Sequence, residues 1–512
     1  MQVVTGEEMR EMDRYTMDVL GMNEEVLMEN AGRAAAHELE KLYPALSERK
    51  IAVLAGKGSN GGDGFVIART LLEKGMDVHV WLLEEEEKVQ GAARYHFHLY
   101  EACGYEWNCF SDGELFQNGA YDLFIDAMLG TGITGELRPP YRKAAEVVNS
   151  SAGDVVAIDI PSGVPAGEEE VPSVTVNADV TIAIQSPKCS AYLYPAKEHY
   201  GRLTVVDIGL PQKARQHVPV KRRLWTDVEA RSTLPKRAAA SHKGDHGKGL
   251  LIGGSSTMPG AVSLSASACL YSGCGLLTTA APDSVVPMIA ARVPETMFLP
   301  LPDQEGILGH EISRTDFQLE AFDGVAAGPG LGRTEEVKTL IRRLLKEVQV
   351  PLLLDADALY YLPELESEMK ERHAPLLLTP HPGEMARLAG LSVQKVNQNR
   401  FSLSRQFAEE YGCYLVLKGP NTIVTTPEGM QFINTTGNEA LARGGTGDVL
   451  TGIALGIFLQ GEDIAASLSN AVYLHGLTAE IAVERTAASH PLAASDFIHL
   501  LPLAFRSIIL SD

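Results

Sequence analysis

Cysteine is scarce in this chain: there are six in 512 residues, and none of them (Cys103, Cys109, Cys189, Cys269, Cys274, Cys413) forms a C-x-x-C pair or a His/Cys metal spacing. That excludes a disulfide scaffold and a zinc module, and the thiols read as reduced and structural, as in a cytoplasmic protein. An excess of positive charge is also missing. With 44 Lys and Arg against 66 Asp and Glu the formal net charge is −22, which argues against bulk nucleic-acid binding and gives no support for an anionic membrane surface. Small anions held by local amides and a few cations stay open. Residues 1–21 carry Glu7, Glu8, Glu11, Asp13 and Asp18 and no apolar core, so no signal peptide is expected. The longest apolar run, Leu450 to Leu459, falls well short of the about 20 residues that cross a bilayer. No internal repeat is visible.

What the chain does have is length for two cores and an ordinary mixture of 45% hydrophobic and 21% charged residues. Thr5 and Glu8 have capping-box spacing for a first helix through about Leu20, and residues 30–41 suggest a second. Ile51 to Ala55 is a short buried-strand run that breaks into a glycine loop, Gly56 to Gly64, with a helix expected from Phe65 to Lys74. Strand-like runs recur at 78–83, 123–126, 155–160, 180–184 and 203–207, with helix-length material between most of them. Such alternation predicts a parallel sheet covered on both faces, with ligands at the carboxyl ends of the strands. The unusual residues fall there: Ser59, Asn60, Gly61, Gly62 and Asp63; Asp126 with Gly130 to Gly135; Asp159, Pro161, Ser162 and Gly163; and Lys188. Asn60, Asp126 and Ser162 are oxygen donors with one carboxylate among them, which suits a weakly bound hard cation; each is alternatively a turn or cap residue. Gly56-x-Gly58-x-x-Gly61 formally satisfies a dinucleotide fingerprint, but the acidic residue expected about 20 positions later is missing, which weakens a dehydrogenase reading.

Residues 210–237 hold Pro211, Pro219, Pro235 and the basic cluster Lys221-Arg222-Arg223 without periodicity, and read as a linker between domains at 1–215 and 225–512; the cluster reads as solvated surface. Beyond it, strands are expected at 249–254, 324–327, 351–354, 376–378 and 414–417, again ending in glycine, carboxylate, His or Lys. Lys418, Gly419 and Thr422 supply a cation, a close backbone and a hydroxyl suited to a nucleotide. His381, fixed between two prolines, suits a ligand contact. Gly444-Gly445-Thr446-Gly447-Asp448 opens the apolar segment 449–459 at a helix mouth, where amides and helix dipole stabilise an anion. Asp448, a carboxylate beside a phosphate site, is expected to hold a metal or to take a proton from an attacking hydroxyl.

Taken together, Gly56-x-Gly58-x-Asn60-Gly61-Gly62-Asp63-Gly64, Asp126-x-x-x-Gly130-x-Gly132, Asp159-Ile160-Pro161-Ser162-Gly163, Lys188, Gly260-Ala261, Gly328-Pro329-Gly330-x-Gly332, Asp355-Ala356-Asp357-Ala358-Leu359, His381-Pro382-Gly383-Glu384, Lys418-Gly419 and Gly444 to Asp448 resemble the bifunctional NAD(P)H-hydrate repair enzymes over nearly the whole chain. The resemblance implies an α/β protein: a Rossmann-like doubly wound epimerase domain followed by a ribokinase-like dehydratase domain that uses ADP or ATP with Mg2+. It implies that Ser59, Asn60, Gly61, Gly62, Asp63, Gly130, Thr131, Gly132, Ile133, Thr134, Gly135, Glu136, Tyr141 and Asp159 contact the hydrated nucleotide, with K+ on Asn60, Asp126 and Ser162. In the second domain it implies Ala261, Gly330 or Gly332, His381 and Asp448 at the hydrate. Lys418, Gly419, Pro420, Asn421, Thr422 and Gly447 then hold the adenine nucleotide. The expected partners are the hydrate, NAD(P)HX, and ADP or ATP, with no nucleic acid or membrane, in a cytoplasmic homo-oligomer. Ser59 and Arg443 depart from the family's usual residues. Asp448 is expected as the dehydratase base, and Asp159, with Lys188 as its electrostatic partner, as the epimerase acid/base group. The competing readings are a plain small-molecule kinase with a nucleotide-binding first domain, and a first domain that only binds a ligand or a protein.

Overall fold

The computed structural model describes residues 1–110, 121–133 and 135–510, so Thr134 lies outside the described residues. They form two compact units, residues 1–221 and 222–512.

In the first unit, β1 (Lys50–Ala55), β2 (Asp77–Leu82), β3 (Trp107–Cys109), β4 (Leu123–Ala127), β5 (Asp154–Ile158), β6 (Val180–Ile184) and β7 (Arg202–Val206) make a seven-stranded sheet in the order β3-β2-β1-β4-β5-β6-β7. Every neighbouring pair is parallel. The order reverses between β1 and β4, the position where a doubly wound sheet opens a crevice at its carboxyl edge. Helices α1 (Gly6–Asp18), α2 (Glu24–Leu42), α3 (Ser59–Leu72), α4 (Gly91–Ala102), α5 (Tyr141–Ser150) and α6 (Gln212–His217) accompany it. Alternation along β1 shows both faces in use: Ile51, Val53 and Ala55 pack with Phe65, Phe97 and Leu39, whereas Ala52 and Leu54 pack with Tyr141, Ala144 and Val148.

The glycine-rich stretch after β1 is not a loop running to Phe65. It is the first turns of α3, which starts at Ser59 behind an extended Gly58. The glycines serve close approach, since a Cβ on Gly61 would stand 1.9 Å from the Gly56 carbonyl oxygen.

The second unit's sheet has ten strands in the order β11-β10-β9-β14-β15-β16-β17-β18-β19-β8. In chain order they are β8 (Arg222–Trp225), β9 (Lys248–Ile252), β10 (Leu276–Pro282), β11 (Met297–Leu301), β14 (Gly324–Ala327), β15 (Leu352–Leu354), β16 (Leu376–Leu378), β17 (Tyr414–Leu417), β18 (Ile423–Thr425) and β19 (Gln431–Asn434), with β12 (Asp303–Gln304) and β13 (Ile307–Leu308) forming a separate hairpin. Within the ten-stranded sheet, among the described residues, the β17–β18 and β18–β19 pairings are antiparallel and the rest parallel. The helices are α7 (Asp227–Thr233), α8 (Pro259–Tyr271), α9 (Val286–Ala290), α10 (Glu335–Glu347), α11 (Glu366–Lys370), α12 (Pro382–Ala389), α13 (Val393–Gln398), α14 (Arg400–Tyr411), α15 (Thr446–Phe458), α16 (Ile464–Thr486) and α17 (Ala494–Leu510).

The apolar run near residue 450 is the buried helix α15, pressed on α8 so closely that a Cβ on Gly452 would stand 2.1 Å from the Ser265 carbonyl oxygen. No helix among the described residues is long and apolar enough to cross a membrane.

The expected linker is itself structured. Arg222 and Arg223 of its basic cluster belong to β8, which pairs in parallel with β19; Arg222 is buried there and not solvated, whereas Arg223 is exposed. Tertiary pairing with an edge strand overrides the proline-rich local signal.

Candidate active sites

In the first unit the carboxyl ends of β1, β4, β5 and β6 gather two polar groups. The first is centred on Asp126, fully buried at the end of β4. One carboxylate oxygen accepts from the Met128 amide (3.2 Å) and the Ser162 hydroxyl (2.6 Å), the other from the Ser162 amide (2.8 Å). The Ser162 oxygen accepts in turn from the Leu129 amide at 2.9 Å. Burial lifts the Asp126 carboxyl to about 6 despite these donors. Asn60 donates to the Leu129 carbonyl at 3.0 Å, while its buried Oδ1 finds no hydrogen-bond partner among the described residues. Asn60, Asp126 and Ser162 are therefore brought together around one backbone turn, as the sequence suggested for a cation site.

The second group is an ion pair between Asp159 and Lys188. Asp159 sits in the left-handed region (φ 67°), a strained conformation outside glycine, and accepts from the Ile184 amide at 3.0 Å. The Lys188 side chain is almost wholly buried and also donates to the Ser186 carbonyl at 3.1 Å. Asp63, in the second turn of α3, lies within the field of this pair; burial, with Asp159 and Asp13 as like charges, drives its carboxyl well up. Asp13, on α1, is a like charge in this field that sequence reasoning passed over as one acid in an acidic N-terminus.

The remaining expected residues follow β4 in the chain. Gly130 lies close to Asn60, and Thr131 close to Gly6. Gly132 and Ile133 continue that turn, and Gly135 follows with a left-handed backbone. Glu136 is exposed and turned to Ser173, accepting from its amide (3.0 Å) and hydroxyl (2.7 Å). Tyr141 opens α5 with its hydroxyl buried, and burial raises its pKa.

In the second unit the centre is Asp355, buried at the end of β15. Lys418 donates to one oxygen at 2.8 Å and Thr451, on α15, to the other at 2.6 Å. Burial pulls this carboxyl up, but the Lys418 ammonium and the hydrogen bonds of Lys418, Thr451 and Thr379 outweigh it and hold it below the ordinary range. Lys418 is also 3.7 Å from Glu384, whose burial lifts it to about 7. A left-handed Gly445 (φ 91°) starts α15, so Gly447 and Asp448 occupy its first turn; a Cβ on Gly447 would lie 3.5 Å from the Lys418 nitrogen. Burial, with Asp355 as a like charge, lifts Asp448 to about 6.

His381 is the N-cap of α12. Its Nδ1 accepts from the Gly383 and Glu384 amides at 3.0 and 3.2 Å, which in the neutral ring leaves the proton on Nε2. Ala261, in the first turn of α8, faces Gly330: a Cβ there would be 3.1 Å from that of Ala261. Asp357 accepts from the Gly332 amide at 2.9 Å and from Arg333 at 3.1 Å.

The Lys418–Thr422 turn is braced by Arg400, buried behind it, which donates to the carbonyls of Lys418, Leu417 and Asn421 at 3.1–3.4 Å. Thr422 donates to Gly419 at 3.0 Å, Asn421 is left-handed and buried, and Gly419 and Pro420 are exposed. Arg443, a departure from the family pattern, is spent on backbone carbonyls, Ala440 at 2.7 Å and Ser489 at 2.8 Å. Arg400 and Thr451 carry no motif that sequence inspection could single out.

Comparison with known proteins finds two families along the chain. Residues 24–190 match the family described as YjeF-related protein N-terminus, and residues 249–500 match the family described as NAD(P)H-hydrate dehydratase. The bifunctional NAD(P)H-hydrate repair enzyme of Moorella thermoacetica is 36% identical over 99% of this chain and 97% of its own. That of Thermofilum pendens is 34% identical over the same shares. Among solved structures, the ADP/ATP-dependent NAD(P)H-hydrate dehydratase from Bacillus subtilis, co-crystallised with ATP and Mg2+, is 36% identical and covers 56% of this chain and 98% of its own at a TM-score of 0.50.

Proposed function

The chain belongs to the bifunctional NAD(P)H-hydrate repair enzymes, and from that premise we propose how its two units divide the work. The first, a Rossmann-like sheet, interconverts the R and S epimers of hydrated NADH or NADPH. The second, a ribokinase-like α/β unit, returns the S epimer to NAD(P)H while ADP or ATP is hydrolysed to AMP or ADP and phosphate. The observation that carries the second assignment is Asp448 in the first turn of α15, beside Lys418 and among free helix amides.

A ring hydroxyl is a poor leaving group. Asp448 removes its proton as the oxygen attacks the terminal phosphate, and the bond from that phosphate to the rest of the nucleotide breaks. The α15 amides and Lys418 stabilise the charge gathering on the transferred group. Phosphate then leaves with the C–O pair and takes up the proton that the neighbouring carbon gives up, restoring the ring double bond. Ala261, Gly330, Gly332 and the Nε2–H of His381 line the hydrate. Lys418 to Thr422 and Gly447 hold the nucleotide, with Arg400 keeping that turn in shape. No set of three or more His, Cys, Asp or Glu side chains among the described residues is arranged to hold a metal, which suits a Mg2+ ion that arrives on the nucleotide's phosphates.

In the first unit, the orphaned Asn60 Oδ1, the buried Asp126 and the Ser162 hydroxyl form a set of oxygen donors with one carboxylate, the chemistry that would hold K+. When bound, that ion neutralises Asp126 and stiffens the crevice floor. Asp159, paired with Lys188, is the acid/base group at the carbon bearing the hydroxyl. Residues 59–63 and 130–136 and Tyr141 contact the hydrated nucleotide. Six cysteines without a disulfide among the described residues support a cytoplasmic setting, and self-association into a homo-oligomer completes the reading.

The test is the S epimer with ADP or ATP, following phosphate release and dihydronicotinamide absorbance together. Equal yields of both are expected. Accumulation of a stable phosphorylated hydrate would make the second unit a kinase instead.

A further inference from the structure

Glu84 stands two residues beyond the carboxyl end of β2, beside the turn that leads from β1 into α3. The Leu83 amide donates to the Ala55 carbonyl at 3.0 Å, which fixes the chain here against the last residue of β1. Leu83 is itself buried in one cluster with Leu54 and with Tyr141, an expected substrate contact. The Glu84 carboxylate is held from two sides. Lys57, in the turn before α3, reaches Oε1 at 3.3 Å, and Lys88 reaches Oε2 at 3.2 Å. The Glu84 side chain is 13% exposed and those of the lysines 50% and 49%, so the carboxylate is the enclosed partner. Burial pulls this carboxyl up, but the hydrogen bonds and charges of Lys88 and Lys57 outweigh it and keep it below the ordinary range.

We propose that Glu84 makes the epimerase select hydrated NADH over hydrated NADPH, accepting hydrogen bonds from the adenosine ribose hydroxyls and repelling a 2′-phosphate. The proposal rests on the epimerase reading above. Asp159 and Lys188, which follow β5 and β6, set where the hydrated ring lies. Helix α3 opens behind Gly58 without a side-chain cap, so its first amides are open to the pyrophosphate. With the strands in the order β2-β1-β4-β5, the adenosine half then falls on the β2 side of that pyrophosphate. The ends of β2 and β5 are three strand positions apart, about 14 Å at the usual spacing of neighbouring strands, a span that an extended dinucleotide covers.

Charge decides which nucleotide is favoured. An ionised carboxylate has about four acceptor positions and the lysines use one on each oxygen, so a ribose diol can still donate to it. A 2′-phosphate brings about −1.5 to −2 of charge and no hydroxyl at that position. The cations beside Glu84 do not offset it. Lys88 is shared with Glu85 at 3.5 Å, and Arg94, the next basic residue along the chain, is taken by Glu86 at 3.3 Å.

The test uses the full chain with K+ and neither ADP nor ATP, so that the second unit is idle. Conversion of the R to the S epimer is followed by chromatography for the NADH and NADPH hydrates in turn, above the spontaneous rate. The parent favours the NADH hydrate in kcat/KM by about 10–100-fold, the range that a hydrogen bond to a charged group supplies. In Glu84→Gln most of that preference disappears, through a higher KM for the NADH hydrate with kcat little changed. Equal kcat/KM for the two hydrates in the parent would overturn the proposal, and that comparison needs no variant to fold. A parental preference retained in Glu84→Gln would overturn it too. So would a fall shared equally by both hydrates, which would make Glu84 merely structural. If the parent speeds neither conversion, the epimerase reading fails instead.

Discussion

Replacing Lys418 by Met would remove the cation from a pair whose side chains are 16% and 2% exposed. At 2.8 Å and an effective dielectric of about 20, the attraction to Asp355 is about 6 kcal/mol before desolvation. Measured losses on removing one partner of such a pair are about 3–5 kcal/mol. Protonation of the stranded carboxyl limits the loss, at about 1.4 kcal/mol for each pH unit above its ordinary value of 3.8. The consequence is a pH signature. In the parent, Asp355 is held below its unfolded value, so its stabilisation is present above that value and lost only as pH falls through the lower folded one. In Lys418→Met the folded carboxyl rises above the unfolded value, and stability drains away as pH increases from about 4. Denaturant unfolding of the second unit should therefore show a difference from the parent of about 3–5 kcal/mol at pH 8 that shrinks markedly at pH 5. A further Asp355→Asn change in the same chain should remove the pH dependence. A difference under about 1 kcal/mol at pH 8, or one equal at both pH values, would refute the buried-pair argument.

Three further outcomes follow from the geometry. Asp448→Asn should lower kcat for the S epimer by about 10²–10⁴-fold; in the parent, kcat should climb as pH rises through about 6, where Asp448 becomes a base, and a flat profile there would assign the proton to another group. Asn60→Leu should abolish the rise in unfolding midpoint that KCl gives the first unit over choline chloride at equal ionic strength, whereas an unchanged response would move the cation elsewhere. Glu384 has a folded value of about 7, above its unfolded one, so its contribution is present at low pH and lost on the way to pH 7; Glu384→Gln should be more stable than the parent at pH 8 but not at pH 4, as thermal melts at both values would reveal.

The sequence was readable where local pattern and tertiary role coincide. Val180–Ile184, Gly324–Ala327 and Tyr414–Leu417 form strands with the expected bounds, because short, largely apolar runs bounded by turn residues and buried in a parallel sheet carry their own signal. The Thr5 capping box was legible for the same reason. Glycine was misleading at Gly61 and Gly62: read as loop, it marks a helix pressed onto neighbouring backbone, a contact that exists only after folding. The 222–225 strand is hidden by flanking prolines and basic residues, since its partner is more than 200 positions away. At the sites, residues lying in motifs were found, whereas Arg400 and Thr451 were not. Their importance comes from what they face across the fold, and nothing in their own neighbourhood of the chain announces it.

The most direct measurement gives the purified chain a mixture of both hydrate epimers with K+, Mg2+ and either ADP or ATP, and follows dihydronicotinamide absorbance to completion. Two working sites predict recovery of the whole mixture, with the R fraction returning at the slower, epimerase-limited rate in an Asp159→Ala protein. Recovery that stops when the S epimer is spent would contradict the role given to the first unit, and no recovery with either nucleotide would contradict the account as a whole.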